Sequence, residues 1–376
     1  MVKDLSSIPY DAPLSFKEPH WTWTKYYAYL NENSTTLSEK DVPIKNLSGK
    51  WIIISGGNNG IGSQAAKFFA QCGANLIIAC RDPPPHETHP EVVVKLLRQE
   101  AQARGYEKST IEWWKIDMSK LASVDAFASR WLETGRPLDV LCNNAGTGGN
   151  PGGLGKVLMT EDGLEFVHQV NFISHVLLTL RLLPSLAKAK EPRVVCTTSC
   201  FTFLGKYNLL NWDGTGCKGV DFYANNKLYF QVWLTEMNQR LLRSSKPGYK
   251  HITINGVHPG YVNSGIWTFD VGKGPFAVVA MLARAFLQWL ASLLAINTEQ
   301  GSYCIRHVAT SLEAGPDPAT QGVGEFGGKG GGRWFNRIWE QPNMPHNHDE
   351  DARLRVWRKA AEEIHAKEKG LLDGLE

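Results

Sequence analysis

The chain has no run of basic residues long enough to track a phosphate backbone, and 40 Lys and Arg against 37 Asp and Glu leave a net charge of only +3. That balance argues against a nucleic-acid partner and for small molecules or proteins. Paired-cysteine spacing is missing too: the seven cysteines (72, 80, 142, 196, 200, 217 and 304) include no C-x-x-C and, being odd in number, cannot all pair. Several fall in apolar strand-like runs and read as reduced core thiols of a cytosolic protein. The pairs His86/His89 and His346/His348 lack a third ligand, so exposed histidines rather than a metal site are expected. The opening MVKDLSSIPYDAPLSF has acids and a proline but no apolar core segment, so no secretory signal is expected and a cytoplasmic location is. Long apolar runs are scarce: only 275–296, PFAVVAMLARAFLQWLASLLAI, reaches spanning length. Arg284, Gln288 and Ser292 recur in it every fourth residue as a polar stripe, which favours an amphipathic helix. A lid, a membrane-surface contact and a true span remain open for it, in that order.

What is present is ample apolar material, 43% of 376 residues, enough for a substantial core. A polar, aromatic-spotted leader occupies 1–46, and its WTWTKYYAYL predicts a short helix packed on the body. From Lys50 strand and helix patterns alternate: WIIIS (51–55), a glycine-rich turn, SQAAKFFAQCG, NLIIAC (75–80), a helix over 91–105, IEWWKID (111–117), a helix from Ser119, and LDVLCNNAG (138–146). A long apolar helix around 160–186, RVVCTTS (193–199), a helix over about 222–244, HITINGVH (251–258) and a helix near 298–312 continue the series. Such alternation predicts an α/β fold, a doubly wound parallel sheet of about seven strands with helices on both faces. The catalytic domain is expected over 47–335, with 261–297 as a substrate loop or lid and 336–376 as a solvated C-terminal extension. The glycine run at 327–333 lacks a strand before and a helix after it, and reads as a loop.

The turn Ser55-Gly56-Gly57-Asn58-Asn59-Gly60-Ile61-Gly62 follows a strand and opens a helix. Glycines there let backbone approach a pyrophosphate, and the helix N-terminus offers unpaired N–H groups to it. In DFYANNK (221–227), Tyr223 and Lys227 are spaced to share one helical face. Alone that pair is weak, because a chain with 11 tyrosines supplies such spacings by chance.

The spacing Gly-x-x-x-Gly-x-Gly, with Ser55 at the place of the usual Thr, resembles the short-chain dehydrogenase/reductase family. Further matches follow in family order: Asn143-Asn144-Ala145-Gly146, Asn171, Ser199, Tyr223 with Lys227, and Pro259-Gly260. Ala79-Cys80-Arg81-Asp82 and His258-Pro259-Gly260 are similar to segments of the retinol-dehydrogenase-like members, although the leader, the enlarged 261–297 segment and the long tail depart from them. The resemblance implies a nicotinamide cofactor held by Ser55, Gly56, Asn58, Asn59, Gly60, Ile61, Gly62, Asn144, Pro259 and Gly260, with Asp117 at the adenine or, alternatively, capping the next helix. It implies Tyr223 as proton donor, Lys227 as the cation that stabilises its phenolate and holds the ribose, Ser199 on the substrate oxygen, and Asn171 holding a water that links Lys227 to solvent.

Cys80 at the tip of the second strand is uncharged and Arg81 follows, so NADP(H) is expected over NAD, with Asp82 as the competing partner of Arg81. Phe201, Phe203, Tyr207, Trp212, Tyr261, Trp267 and Phe269 are candidate walls of a hydrophobic pocket for a bulky lipophilic carbonyl or alcohol of terpenoid, polyketide, steroid or retinoid type. Reduction is the expected direction at family level. An NAD-dependent alcohol dehydrogenase, an epimerase or dehydratase, and a non-catalytic scaffold are the rival readings. Self-association is left open.

Overall fold

The computed structural model describes residues 8–19, 23–84, 87–149, 157–212, 214, 221–263 and 295–375. The segment 275–294, Trp267, Phe269 and Cys217 lie outside the described residues, so the expected lid helix and two of the candidate pocket walls do as well.

One sheet of eight strands runs in the order β3-β2-β1-β4-β5-β6-β7-β8. The strands are β1 (Trp51–Ser55), β2 (Asn75–Cys80), β3 (Ile111–Lys115), β4 (Val140–Asn143), β5 (Arg193–Thr197), β6 (Thr253–His258), β7 (Trp334–Asn336) and β8 (Trp339–Gln341). The first seven are parallel, and β8 turns back antiparallel on β7. The last two are short and polar-flanked, which hides them from periodicity, so the expected seven become eight. Central strands such as β1 and β2 are buried on both faces, as continuous Ile, Leu and Val runs require.

Helices cover both faces. The labelled ones are α1 (Trp23–Ser34), α2 (Gly60–Gln71), α3 (Pro90–Ala103), α4 (Leu121–Glu133), α5 (Phe166–His168), α6 (Ser174–Leu186), α7 (Asp221–Arg243), α8 (Pro247–Lys250) and α9 (Thr298–Thr310). One buried cluster joins α4, α6 and α7 to the sheet, and a second joins α2, α3 and α9 to its other face. Between α5 and α6 the helix widens into a π-helical stretch, Gln169–Ile173. The continuous helical run Phe166–Leu186 has the length and apolarity of a membrane span but lies mostly buried in the core. Proline 184 sits in its last turn.

The C-terminal residues are not a solvated appendage. The helix Glu350–Glu363 buries Leu354, Val356, Trp357 and Ala360, with Trp357 stacked on Trp233 of α7 at 6.0 Å. His346, expected to be exposed, is buried, stacked on Tyr207 and paired with Glu18 at 3.2 Å, whereas His348 is exposed. No group of metal-binding side chains occurs among the described residues. Buried His168 bridges Asn226 (2.5 Å) and Glu363 (2.9 Å), tying the tail to α7. Burial opposes its charge, but Glu363 and Asn226 outweigh that and raise its pKa.

Candidate active site

The strand order reverses between β1 and β4, the crevice where sheets of this kind bind ligands. A cavity of about 710 Å³ opens there, lined by Gly56, Asn58, Asn59, Gly60, Ile61 and Gly62 on one side. Gly56 sits at φ +65°, a left-handed conformation that a side chain would strain. Gly62 faces the Gly56 carbonyl so closely that a Cβ would overlap it and stand 2.6 Å from Asn144 Nδ2. Asn59 accepts a hydrogen bond from Gly60 N at 2.8 Å and caps α2. Asn58 donates from Nδ2 to the Thr88 carbonyl at 3.2 Å, holding the turn to the segment before α3. The result is a bare-backbone cradle against a helix N-terminus, which fits a pyrophosphate.

Ser55 departs from its expected place. Its side chain is fully buried, does not line the cavity, donates to Cys142 O (3.2 Å) and accepts from Asn144 N (2.9 Å) and Ala145 N (3.0 Å). It cross-links the ends of β1 and β4, and any part in binding is through Asn144, whose Nδ2 donates to Ser55 O at 3.0 Å. Asn144 itself lines the cavity.

Cys80, Arg81 and Asp117 lie along the same cavity. Burial pushes the Cys80 thiol up to about 12, so no charge arises at the β2 tip near neutrality. Arg81 is about half exposed and contacts Glu87 at 3.4 Å, while the expected partner Asp82 pairs with Lys115 instead. Glu87, six residues beyond Arg81, lines the cavity and was not singled out from sequence; a carboxylate at that spacing in a proline-rich loop gives no periodic signal. Asp117 accepts from Ser119 N (2.9 Å) and Oγ (2.7 Å) in the turn ahead of α4; that helix begins at Leu121 after Lys120 with no side-chain cap, so Asp117 does not cap it, and it also faces the cavity.

Across the cavity Ser199, Tyr223, Lys227, Pro259 and Gly260 meet. Tyr223 and Lys227 occupy successive turns of α7, the ammonium 5.4 Å from the phenol ring centre. Lys227 is buried and donates to the Thr197 carbonyl at 2.7 Å, and burial brings its pKa down to about 8. Burial pushes the Tyr223 phenol above its ordinary range, and a hydrogen bond with Ser199 pulls it the other way. Lys227 was expected to be the group that lowers it; with its ammonium turned to Thr197, Ser199 does so here. Ser199 itself is extended (φ −161°, ψ 156°) and accepts from Phe201 N, capping the short helix Cys200–Leu204.

Asn171 is buried in the π-helical stretch and does not line the cavity. Its amide grips the Thr147 peptide from both sides, accepting from N at 2.7 Å and donating to O at 2.8 Å. It therefore shapes the loop after β4.

Of the candidate apolar walls, Phe201 and Tyr261 line the cavity, joined by Phe166, Val170 and Val262. Phe203 and Trp212 are buried in the core, and Tyr207 donates to the Ala352 carbonyl at 2.8 Å, packed away from the cavity. His258 also borders it, buried, with neither ring nitrogen hydrogen-bonded among the described residues; burial, Arg337 and Lys227 hold its pKa down to about 3. The Cys200 thiol, pushed up to about 12 by burial, is not a nucleophile near neutrality.

This arrangement of a glycine cradle at the switch point with Ser, Tyr and Lys across from it agrees with the match of residues 50–270 to the family model described as short chain dehydrogenase. The chain belongs to the short-chain dehydrogenase family, oxidoreductases that act on CH–OH groups with NAD(P)(H). Among its relatives, human retinol dehydrogenase 11 is 31% identical over 265 residues, 70% of this chain and 73% of its own. Human retinol dehydrogenase 13 is 27% identical over 319 residues, 84% of each chain, and human polyprenol dehydrogenase 28% over 315 residues, 82% of this chain and 83% of its own. Among solved structures, an uncharacterized protein from Mycobacterium paratuberculosis superposes with a TM-score of 0.56 at 20% identity, over 86% of this chain and 97% of that one. The NADPH-dependent 3-quinuclidinone reductase of Rhodotorula rubra does so with 0.51 at 16% identity, over 74% and 90%. Both likenesses concern the fold.

Proposed function

We propose that the protein is an NADP(H)-dependent reductase of a bulky lipophilic ketone or aldehyde, working in the cytoplasm. The observation that carries this is the convergence of Ser199, Tyr223 and Lys227 on the cavity whose other wall is the glycine cradle. When bound, a nicotinamide supplies the hydride. The cradle from Gly56 to Gly62 would hold the pyrophosphate, and Lys227 the ribose. Burial keeps the Tyr223 phenol protonated at neutral pH, so it can donate that proton as charge develops on the substrate oxygen. Ser199, already hydrogen-bonded to the phenol, orients the same oxygen. A neutral Cys80 beside Arg81 supports the 2′-phosphate over a bare ribose. Phe166, Val170, Phe201, Tyr261 and Val262 supply an apolar wall, and the relatives named for retinol and polyprenol act on lipophilic alcohols.

The test is a panel of lipophilic carbonyls with NADPH or NADH, followed by loss of nucleotide absorbance. Tyr223→Phe should lower turnover roughly 10²- to 10⁴-fold, the usual contribution of a positioned acid, with nucleotide affinity unchanged. Equal turnover by wild type and variant on a substrate that wild type reduces would refute the mechanism.

A further inference from the structure

The N-terminal segment, whose role sequence leaves blank, reaches the site. In α1, buried Asn33 accepts a hydrogen bond from Tyr261 N at 2.9 Å. Gly260 passes so close beneath it, at φ +90°, that a Cβ there would overlap Asn33 Oδ1. Tyr261 in turn accepts from Ile296 N at 2.8 Å, and Asn263 donates to Ile296 O at 2.9 Å, so one clasp fixes the strand-like neck at 261–263 and 296. On the other flank Tyr29 packs 5.6 Å from Phe203, just after Ser199, and 6.1 Å from His258.

The clasp is itself held. Arg337 is buried at φ +54° and donates to the carbonyls of Glu32 (2.8 Å) and Thr35 (2.6 Å) and to Gln300 Oε1 (2.8 Å). Gln300 grips Leu37 through both its N–H and its carbonyl, each at 2.8 Å. A positive-φ arginine inside a protein is costly backbone, sustained here by three hydrogen bonds from the guanidinium to neutral carbonyl and amide oxygens.

We propose that α1 is a working part of the active site and that Asn33 is a positioning residue, setting the Gly260–Tyr261 backbone against the nicotinamide end of the cavity. This rests on the nicotinamide reading above. Without Asn33 the Tyr261 N–H loses its acceptor, and the backbone that faces the cofactor gains freedom that binding must then remove.

The experiment uses the full chain. NADPH titration by nucleotide fluorescence should show Asn33→Ala binding about tenfold more weakly, the scale of one buried hydrogen bond. KM for NADPH should rise by a like factor, with kcat at saturation changed far less. Asn33→Asp, which keeps the acceptor, should restore most of the affinity. Hydrogen exchange at the Tyr261 amide should speed up in Asn33→Ala by a similar factor while amides in β1 and β2 stay protected. Unchanged affinity in Asn33→Ala, or equal weakening in both variants, overturns the proposal. If wild type binds neither NADPH nor NADH, the cofactor reading fails, and unchanged exchange at Tyr261 would separately remove the clasp.

Discussion

Replacing Gly62 with alanine puts one methyl group at the tightest point of the cradle. Its Cβ would lie inside the Gly56 carbonyl oxygen's contact radius, 2.6 Å from Asn144 Nδ2 and 3.0 Å from the Gly56 carbonyl carbon. Two of those three neighbours are backbone, and the third is an amide held by the Ser55 carbonyl, so none retreats by a rotamer change. Overpacking of this kind costs about 1–3 kcal/mol, and a backbone neighbour places it in the upper half of that range. The turn can relieve the clash only by moving away from α2, which spoils the cradle. Borne at the cradle, that cost raises the NADPH dissociation constant about 30- to 150-fold; any part of it borne by the free fold shows instead as a lower melting temperature.

Gly60→Ala separates crowding from backbone strain. No atom lies within 4 Å of the added methyl, but φ is +55°. The expected cost is about 1–2 kcal/mol of left-handed strain, felt mainly in thermal stability. Nucleotide binding by fluorescence titration and unfolding by circular dichroism decide both variants. If Gly62→Ala binds NADPH within twofold of wild type and melts at the same temperature, the assignment of this turn as the pyrophosphate cradle is wrong.

Two further expectations concern charge. With Lys227 near pKa 8, kcat/KM for reduction should fall as the pH rises through about 8, and Lys227→Arg, which cannot deprotonate, should flatten that limb at a lower plateau. The unfolded lysine titrates near 10.4, so the unfolded chain holds the extra proton between the two values and stability should rise with pH across that window; a pH series of denaturant melts on wild type and Lys227→Met reads the slope. At the β2 tip, Arg81→Ala should lower the NADPH over NADH preference in kcat/KM about tenfold, and Glu87→Gln, which frees Arg81 from its carboxylate neighbour, should raise it. No change in either ratio would shift the specificity elsewhere.

The parts of the site that sequence exposes are those whose function needs a fixed local spacing. The cradle announces itself because strand, glycine turn and helix must be contiguous, and Tyr223 with Lys227 because one helical turn separates two groups that share a cavity. Ser55 and Asn171 sit inside equally local motifs, yet their side chains are consumed by Asn144, Ala145 and Thr147, a distinction that depends on which way a buried side chain turns and leaves no trace in spacing. The C-terminal helix did carry a signal, since Leu354, Trp357, Ala360 and Ile364 recur every three or four residues, but acids and arginines between them mask it. The α1 clasp carries none: Asn33 meets Tyr261 across 228 residues, and Arg337 meets Glu32 across 305. Glycine at 260 is the one local residue shaped by that contact, and in sequence it reads as part of a Pro-Gly turn. Its conformational freedom explains the turn, whereas the lack of a side chain explains how Asn33 comes close enough to hold it, so a single residue there answers to two constraints of which sequence displays one.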